Sequence, residues 1–271
     1  KKLVSVIIRT LNEEKYLDEL LNAIFKQSTE LYDIEVVIVD SGSSDRTINI
    51  AKSFNCRITN ISKEQFTFGR SLNVGCEYSR GDFLVFISGH CIPVNNDWLN
   101  NLVVPLEDKC AYTYGRQIGR DTTKFSEMQL FNKYYPIKSR LPQDGFFCNN
   151  ANSSLSKATW EKHKFDESLT GLEDMELAKR LVASNLSIGY IAEAPVYHIH
   201  DESWRSVRIR YEREANALKA IMPEIEVSFF DALKYILVSI IGDSKKSLIE
   251  RSLVRNILSI ILFRASQYIG S

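Results

Sequence analysis

An excess of charge of either sign is missing from this sequence. Its 271 residues carry 34 Lys and Arg against 34 Asp and Glu, a formal net charge of zero. General nucleic-acid binders carry a basic surplus, so no nucleic-acid partner is expected. Long hydrophobic runs are missing as well. Tyr235–Ile241 and Ile257–Phe263 stop far short of the ~20 apolar residues that span a bilayer, so an integral membrane protein is not expected. Cysteine is sparse and unpatterned. Cys56, Cys76, Cys91, Cys110 and Cys148 form no C-x-x-C pair, which points to reduced thiols in a cytosolic setting, most of them acting as small buried hydrophobes. No charged-then-apolar leader opens the chain, and Lys1 follows no Met, as in a trimmed start. There is no repeat, no low-complexity tract, and no G-x-G-x-x-G after the first apolar run, which argues against a dehydrogenase.

What is present reads as an ordinary folded chain, 44% hydrophobic and 25% charged, long enough for one large α/β domain or a domain with an appendage. Leu3–Ile8 is a β-branched run without alternation, the pattern of a strand buried on both faces. Glu14–Lys26 carries a helical apolar stripe of Leu17, Leu20, Leu21, Ile24 and Phe25. Ile34–Val39 is a second buried strand ending at Asp40, and Ser44 or Asp45 can cap a helix running to Phe54. Strand Arg57–Ile61, helix Gly69–Ser79 and strand Asp82–Ile87 follow. This alternation predicts a parallel sheet with right-handed crossovers. Ligands then bind beyond the carboxyl ends of the strands, where Thr10, Asn12, Glu13, Asp40 and His90 stand. Any doubly wound fold puts polar loops there, so the pattern alone leaves nucleotide binding open. Further on, the expectations are a strand at Tyr112–Ile118, a helix at Lys124–Tyr134, and an Asn-rich loop entering a strand over Phe146–Leu155. A helix at Asp174–Ser184, short strands at Ser187–Ile191 and Pro195–His200, and helices from Ser203 onward complete the reading.

Several motifs in order resemble one family. They are Val4-Ser-Val-Ile-Ile-Arg-Thr-Leu-Asn-Glu13, Val37-Ile-Val-Asp-Ser-Gly-Ser-Ser-Asp-Arg-Thr47, Gly69-Arg-Ser-Leu-Asn-Val-Gly75, Gly81-Asp-Phe-Leu-Val-Phe86, Gly171-Leu-Glu-Asp-Met-Glu-Leu177 and Tyr197-His-Ile-His200. Together they resemble family 2 glycosyltransferases over roughly residues 3–210, most closely rhamnosyltransferase-like members that build bacterial surface polysaccharides such as capsule or O-antigen. The resemblance implies a GT-A (Rossmann-like) α/β fold with a mostly parallel sheet flanked by helices. A nucleotide-binding half at about 1–110, an acceptor half at about 111–210 and a helical extension at 211–271 would follow. It further implies inverting transfer from a UDP- or dTDP-sugar to a glycan or lipid-linked glycan, in the cytoplasm or at the cytoplasmic face of the inner membrane.

The resemblance assigns roles, and each has a physical reading. Asp40 at a strand end can accept the imide N–H of uracil or thymine, with Thr10, Asn12 and Glu13 lining base and ribose. Asp45 joins this nucleoside site, or else caps the helix after it. Arg70 and Asn73 share a helix face towards the nucleotide, Arg70 meeting a phosphate or forming a surface ion pair. Glu173 and Asp174 open a helix, where acidic residues also suit the helix dipole. In the family the second carboxylate deprotonates the acceptor hydroxyl, which makes Asp174 the base and Glu173 its support. Asn149, Asn150 and Asn152 offer donors and acceptors for sugar hydroxyls, though asparagine also serves turns. Trp160 and Trp204 could stack on a sugar, but core packing explains them as well.

One departure stands out. Relatives carry Asp-x-Asp or a lone Asp after the fourth strand for the divalent cation (Mn²⁺ or Mg²⁺) and the ribose. This chain has Ser88-Gly89-His90. The replacement expected is His90 with His200 as metal ligands and Ser88 at the nucleotide, His198 being structural; alternatively a protonated His90 serves as counter-charge without metal. The missing carboxylates keep open a non-catalytic sugar-nucleotide or glycan-binding domain. A sugar nucleotidyltransferase is the other rival, although Arg9-Thr-Leu-Asn-Glu13 is no glycine-rich phosphate loop. Finally, Phe229–Ser271 reads as basic amphipathic helix, with Lys234, Lys245, Lys246, Arg251, Arg255 and Arg264 interrupting its apolar stripes. Such a segment can lie on an anionic membrane, or pack on the domain or a second subunit.

Overall fold

The computed structural model describes all 271 residues, which divide into two compact units. Unit 1 comprises Lys1–Ile118, Tyr135–Leu169 and Glu173–His198; unit 2 comprises Gly119–Tyr134, Thr170–Leu172 and Ile199–Ser271. The elements in chain order are β1 (Lys2–Thr10), α1 (Glu14–Phe25), β2 (Tyr32–Asp40), α2 (Thr47–Ser53), β3 (Arg57–Asn60), α3 (Phe68–Tyr78), β4 (Phe83–Ser88), β5 (Cys91–Pro93) and α4 (Trp98–Val103). They continue with β6 (Tyr112–Ile118), α5 (Phe125–Tyr134), β7 (Asn152–Ser156), α6 (Lys157–Lys162), α7 (Glu173–Ala183), β8 (Ile188–His198), α8 (Trp204–Ile221), α9 (Phe229–Ile249) and α10 (Leu253–Gly270).

Unit 1 is built on one eight-stranded sheet in the order β3-β2-β1-β4-β7-β6-β8-β5. The first half meets the expectation. β1 lies parallel to β2 and β4, and β2 parallel to β3. Val4, Val6, Ile7 and Ile8 of β1 are all but completely buried, each contributing roughly 1.5–3 kcal/mol of apolar burial. Helix α3 presses onto this half through Gly75, where a Cβ would stand 2.6 Å from Ile7 and 2.9 Å from Val39. The second half is where the mostly parallel expectation leaves room for exceptions, because β7 runs antiparallel to both β4 and β6, and β5 antiparallel to β8. The sheet is mixed, and parallel throughout from β3 to β4. The two short strands expected over 187–200 are one strand, β8, with a register shift opposite Gly115–Gln117.

Strand β7 explains why the centre of the sheet reads as a loop. Its sequence, Asn152-Ser-Ser-Leu-Ser156, is polar, yet Asn152, Ser153 and Ser154 are fully buried. Side-chain hydrogen bonds replace the usual apolar contacts. Asn152 accepts from Trp98 Nε1 at 2.8 Å and donates to the Ala194 and Arg116 carbonyls at 2.8 and 3.1 Å. Ser154 donates to the Leu102 carbonyl at 3.0 Å and meets the Thr113 hydroxyl at 2.7 Å. A buried polar group is tolerated when it is satisfied, and these are.

Unit 2 is helical. Phe263 of α10 is buried, its ring edge-on to Tyr211 of α8 at 6.3 Å. Gly270 lets α10 close onto α8, since a Cβ there would sit 2.3 Å from the Arg208 carbonyl. Arg264 of α10 grips Asp243 of α9 through two hydrogen bonds of 2.8 and 3.0 Å, both side chains buried. The boundary expected at residue 210 falls inside α8, a single helix from Trp204 to Ile221.

Replacing Asn152 with Leu keeps the volume but orphans the Trp98 N–H and two carbonyls, each worth ~1–3 kcal/mol. The Asn152→Leu chain should therefore unfold at clearly lower urea than the wild type in a circular-dichroism titration. A midpoint unchanged by the substitution would show that the polar strand is not held as described.

Candidate functional site

The carboxyl ends of β1, β2 and β4 converge with the amino end of α7, and the site residues of unit 1 gather there. Asn12 enters α1 with φ +57°, a left-handed conformation that asparagine tolerates. Its Oδ1 accepts the Ser44 N–H at 2.8 Å, while its own N–H donates to the Ser43 hydroxyl at 2.9 Å. Asp45 bridges the starts of two helices, accepting the Thr47 N–H at 2.9 Å and the Glu14 N–H at 3.1 Å. Burial works to raise its pKa, but those hydrogen bonds prevail and hold it below the usual carboxylate range. Its local role is therefore the helix cap.

Asp40 is buried and already saturated. One oxygen accepts from the Thr10 and Ser43 hydroxyls at 2.9 and 2.5 Å, the other from the Gly42 and Ser43 N–H groups at 2.9 Å each. These four bonds fold the Ser41–Ser43 turn and fill the acceptor capacity that an imide N–H would use. Asn73 is likewise turned inward. It accepts from Trp160 Nε1 and the Phe165 N–H at 3.0 and 3.1 Å, and donates to the Phe165 carbonyl and Glu167 at 3.0 and 2.9 Å. The placement of Asn73 beside the nucleotide is thus corrected, because a buried amide with all four positions filled cannot also serve a ligand. Arg70 differs. It sits half-buried in the first turn of α3, and its guanidinium has no hydrogen bond or ion pair.

The acidic pair opens α7, entered through Leu172 at φ +56°, a strained backbone region for leucine. Glu173 and Asp174 are both buried. Arg9, at the end of β1, donates to Glu173 at 3.3 Å and to the Phe68 carbonyl at 3.2 Å. Asp174 accepts the Asn150 N–H at 2.7 Å and the Met175 N–H at 2.8 Å. Burial first, and the Glu173 charge second, push the Asp174 pKa up to about 7 against those two N–H groups and Arg9. Arg9 escaped the sequence reading because a cation at a strand end, distant in sequence from the acidic pair, gives no spacing signal.

Of the three asparagines, Asn149 and Asn150 stand just before β7 and Asn152 opens it. Asn150 places its Oδ1 against the Tyr112 and Ser153 hydroxyls at 2.5 and 2.7 Å, and its Nδ2 is buried without an acceptor. Asn149 accepts from Gln117 and the Ala151 N–H at 2.9 and 3.0 Å, and Gln117 in turn meets buried His198 at 2.6 Å. Asn152 is committed to the sheet, which corrects its assignment to a sugar. Trp160 is buried core, and Trp204 in unit 2 lies under the Lys124 ammonium at 5.3 Å.

After β4, Ser88 is half-buried and its N–H donates to the Ala151 carbonyl at 3.3 Å. Gly89 carries no Cβ, which would fall 2.8 Å from the Glu13 side chain, so the Glu13 carboxylate folds over it to within 3.1 Å of His90 Nδ1. The His90 ring stacks on His198 with centroids 5.3 Å apart. A carboxylate and an imidazole at this separation form a donor set that suits a divalent cation such as Mn²⁺. His200 belongs to unit 2, where its Nδ1 is 2.6 Å from Glu127. Burial lowers the His200 pKa despite that carboxylate, while Glu127 is held low, against its own burial, by His200 and Arg210. With a carboxylate as its partner Nδ1 carries a proton, which leaves Nε2 as the nitrogen a carboxylate-supported histidine offers to a metal.

Comparison with known proteins gives the family and the fold. The description "Glycosyl transferase family 2" matches residues 5–161. The O-antigen chain rhamnosyltransferase RfbN of Salmonella typhimurium is 27% identical over 239 residues, 83% of this chain and 75% of that protein. Among solved structures, the mannosyltransferase PcManGT of Pyrobaculum calidifontis, in complex with GDP-Man and Mn²⁺, aligns with a TM-score of 0.71 at 13% identity, covering 100% of this chain and 86% of that one. The glucosyl-3-phosphoglycerate synthase of Mycobacterium tuberculosis, with Mn²⁺ and UDP-glucose, aligns at 0.60 with 17% identity, covering 82% and 79%. These likenesses show the GT-A fold.

The raised Asp174 pKa has a sign that can be checked. A carboxyl whose folded pKa lies above its unfolded value of about 3.9 favours the fold when protonated. Its contribution is fully present below about pH 4 and is lost as pH rises through about 7. Asp174→Asn cannot ionise, so its melting temperature relative to wild type should climb between pH 4 and 7 and level off above, whatever fixed offset the lost acceptor imposes. Parallel melting curves across that range would remove the buried, raised carboxyl.

Proposed function

Because the chain belongs to glycosyl transferase family 2, we propose that it transfers a sugar from a UDP- or dTDP-sugar to a growing bacterial glycan, with inversion and with Asp174 as base. The observation that carries this reading is the buried Asp174 carboxylate, held by the Asn150 and Met175 N–H groups with its pKa pushed up to about 7. A general base is most useful when its pKa lies near working pH, and one carboxylate suffices for a single displacement in which the nucleotide leaves opposite the incoming hydroxyl. Glu173, tied to Arg9, keeps a negative charge beside Asp174 that strengthens it as a base. The surface-polysaccharide part rests on the resemblance to RfbN, whose name states an O-antigen chain rhamnosyltransferase. An acceptor glycan, free or lipid-linked, would meet the Asn149 amide, and the Asn150 Nδ2 only where that buried group becomes uncovered.

On the donor side, Thr10, Asn12, Glu13 and Ser88 surround the strand ends, and Arg70 offers an uncommitted guanidinium for a diphosphate oxygen. Asp40 and Asp45 shape the loop that a nucleoside would meet; an Asp40 contact to the base requires one of its present donors to give way. Glu13 and His90 of unit 1 would hold a divalent cation; His200, the other ligand expected from the sequence, belongs to unit 2. A bound cation supplies charge neutralisation for the leaving diphosphate. The residues' own share is to bind the donor, orient the acceptor hydroxyl and take its proton on an Asp174 oxygen. The rival reading, a non-catalytic glycan-binding domain, rests on Ser88-Gly89-His90 in place of the carboxylates.

Asp174→Asn should cost on the order of a hundred- to ten-thousand-fold in transfer while leaving UDP or dTDP affinity within threefold. Turnover by radiolabelled-sugar transfer and affinity by calorimetry separate the two; full turnover in the variant would remove Asp174 as the base. Wild-type activity should fall as pH drops through about 7.

A second pair of variants separates ligand contact from scaffold. Arg70→Ala should weaken nucleotide binding by roughly tenfold or more with an unchanged melting temperature. Asn73→Ala should lower the melting temperature, because three buried partners lose their bonds. A thermally neutral Asn73→Ala would reinstate it as a ligand contact.

A further inference from the structure

Helix α9 has its sidedness reversed. The side it turns to α10 is hydrophilic, with the Asp243–Arg264 pair, Ser239 against the Tyr268 hydroxyl at 3.0 Å, and Ser247 against Ser252 and Asn256 at 3.0 and 3.2 Å. The side it turns away is hydrocarbon, formed by Phe230, Leu237, Val238, Ile241, Leu248 and Ile249, all more than half exposed, with Phe230 at 79%. Helix α10 begins the same way, with Val254 at 96% exposure and Leu258 also outward. A helix facing water keeps its apolar stripe inward. Contiguous exposed apolar surface on this scale marks a contact with something else.

Charge on that surface decides what the contact is. Between Ala232 and Ile249 the sole acidic residue is Asp243, which is buried, and no Asp or Glu follows Glu250. The exposed charges are Lys234, Lys245, Lys246, Arg251 and Arg255 against Asp231 and Glu250 at the two ends of the helix, with Lys246 near Glu250 at 3.6 Å. Lys234, Val238, Ile241 and Lys245 follow the three- and four-residue steps of one helix face, so cation and hydrocarbon share it. Two copies meeting through this face would bring five cations of each copy together with only two carboxylates of each to offset them. An anionic lipid surface matches both features, taking the hydrocarbon into its acyl boundary and the lysine heads at phosphate level. No helix of the chain is long and apolar enough to cross a membrane, so the contact is one of lying in the surface.

We propose that the outward face of α9, with the first turns of α10, docks in the interface of an anionic bilayer. This does not depend on the glycosyltransferase reading, since every residue used belongs to unit 2. The test is cosedimentation of the full chain with vesicles rich in phosphatidylglycerol and with vesicles of phosphatidylcholine alone. Binding should be confined to the first and weaken as salt is raised. L237E/I241E should lose more than about tenfold in binding, because two acyl-facing side chains become anions. K234E/K245E should lose about tenfold or more and the preference for anionic lipid. Both variants alter exposed positions, and their melting temperatures and unit 1 nucleotide binding should equal the wild type. Absence of vesicle binding by the wild type, or binding that both variants retain, overturns the proposal. A concentration-dependent dimer that ignores vesicles and dissolves in L237E/I241E, read by sedimentation velocity, would instead assign the face to a second copy.

Discussion

The hydrogen bond from the Asn150 N–H to the Asp174 carboxylate holds the candidate site together. Asp174 arrives on α7, and Asn150 arrives just before the strand that joins the two halves of the sheet. A buried carboxylate without donors would be prohibitively costly; with too many it would become a weak base. Two backbone N–H groups, one from its own helix and one from Asn150, sit between these limits. Arg9 bonds to the neighbouring Glu173 rather than to Asp174, so the cation stabilises the pair without quenching the reactive member. The position of β1, the strained entry at Leu172 and the inward turn of Asn150 all serve this one contact.

Most of the nucleotide half was legible because its signals are local. β1, β2 and β4 are apolar and buried on both faces, and each ends in a polar cluster that the sheet carries to one edge. The acidic pair was legible from its motif. What escaped lies where polar side chains act as scaffold. A strand was expected at the end of Phe146–Leu155, but not that its polar residues Asn152, Ser153 and Ser154 would be buried, since that burial depends on acceptors and donors distant in sequence. The same cause misplaced Asn73: its spacing from Arg70 predicts a shared face, but the Trp160 N–H and the Phe165 backbone claim the amide. Three-residue spacing tells which side chains are neighbours, not which of them still has bonding capacity.

The turn after β4 lacks a carboxylate of its own but has one beside it. The carboxylates expected there are replaced by Ser88-Gly89-His90, and Glu13 comes from the loop after β1 across the bare backbone of Gly89 to reach His90. Gly89 is what permits this, since any side chain there would displace Glu13 and separate it from His90.

The hydrophilic middle strand also bears on how the chain assembles. β1, β2 and β4 bury large apolar side chains, so they can collapse early. β7 brings little hydrophobic attraction, and gains its bonds only once Trp98, Thr113 and the Ala194 carbonyl are in place. It is therefore expected to join the sheet last. Because Asn150 lies two residues before it, the contact between the Asn150 N–H and Asp174 would form only with the final step of folding, after the ends of β1, β2 and β4 are already in place.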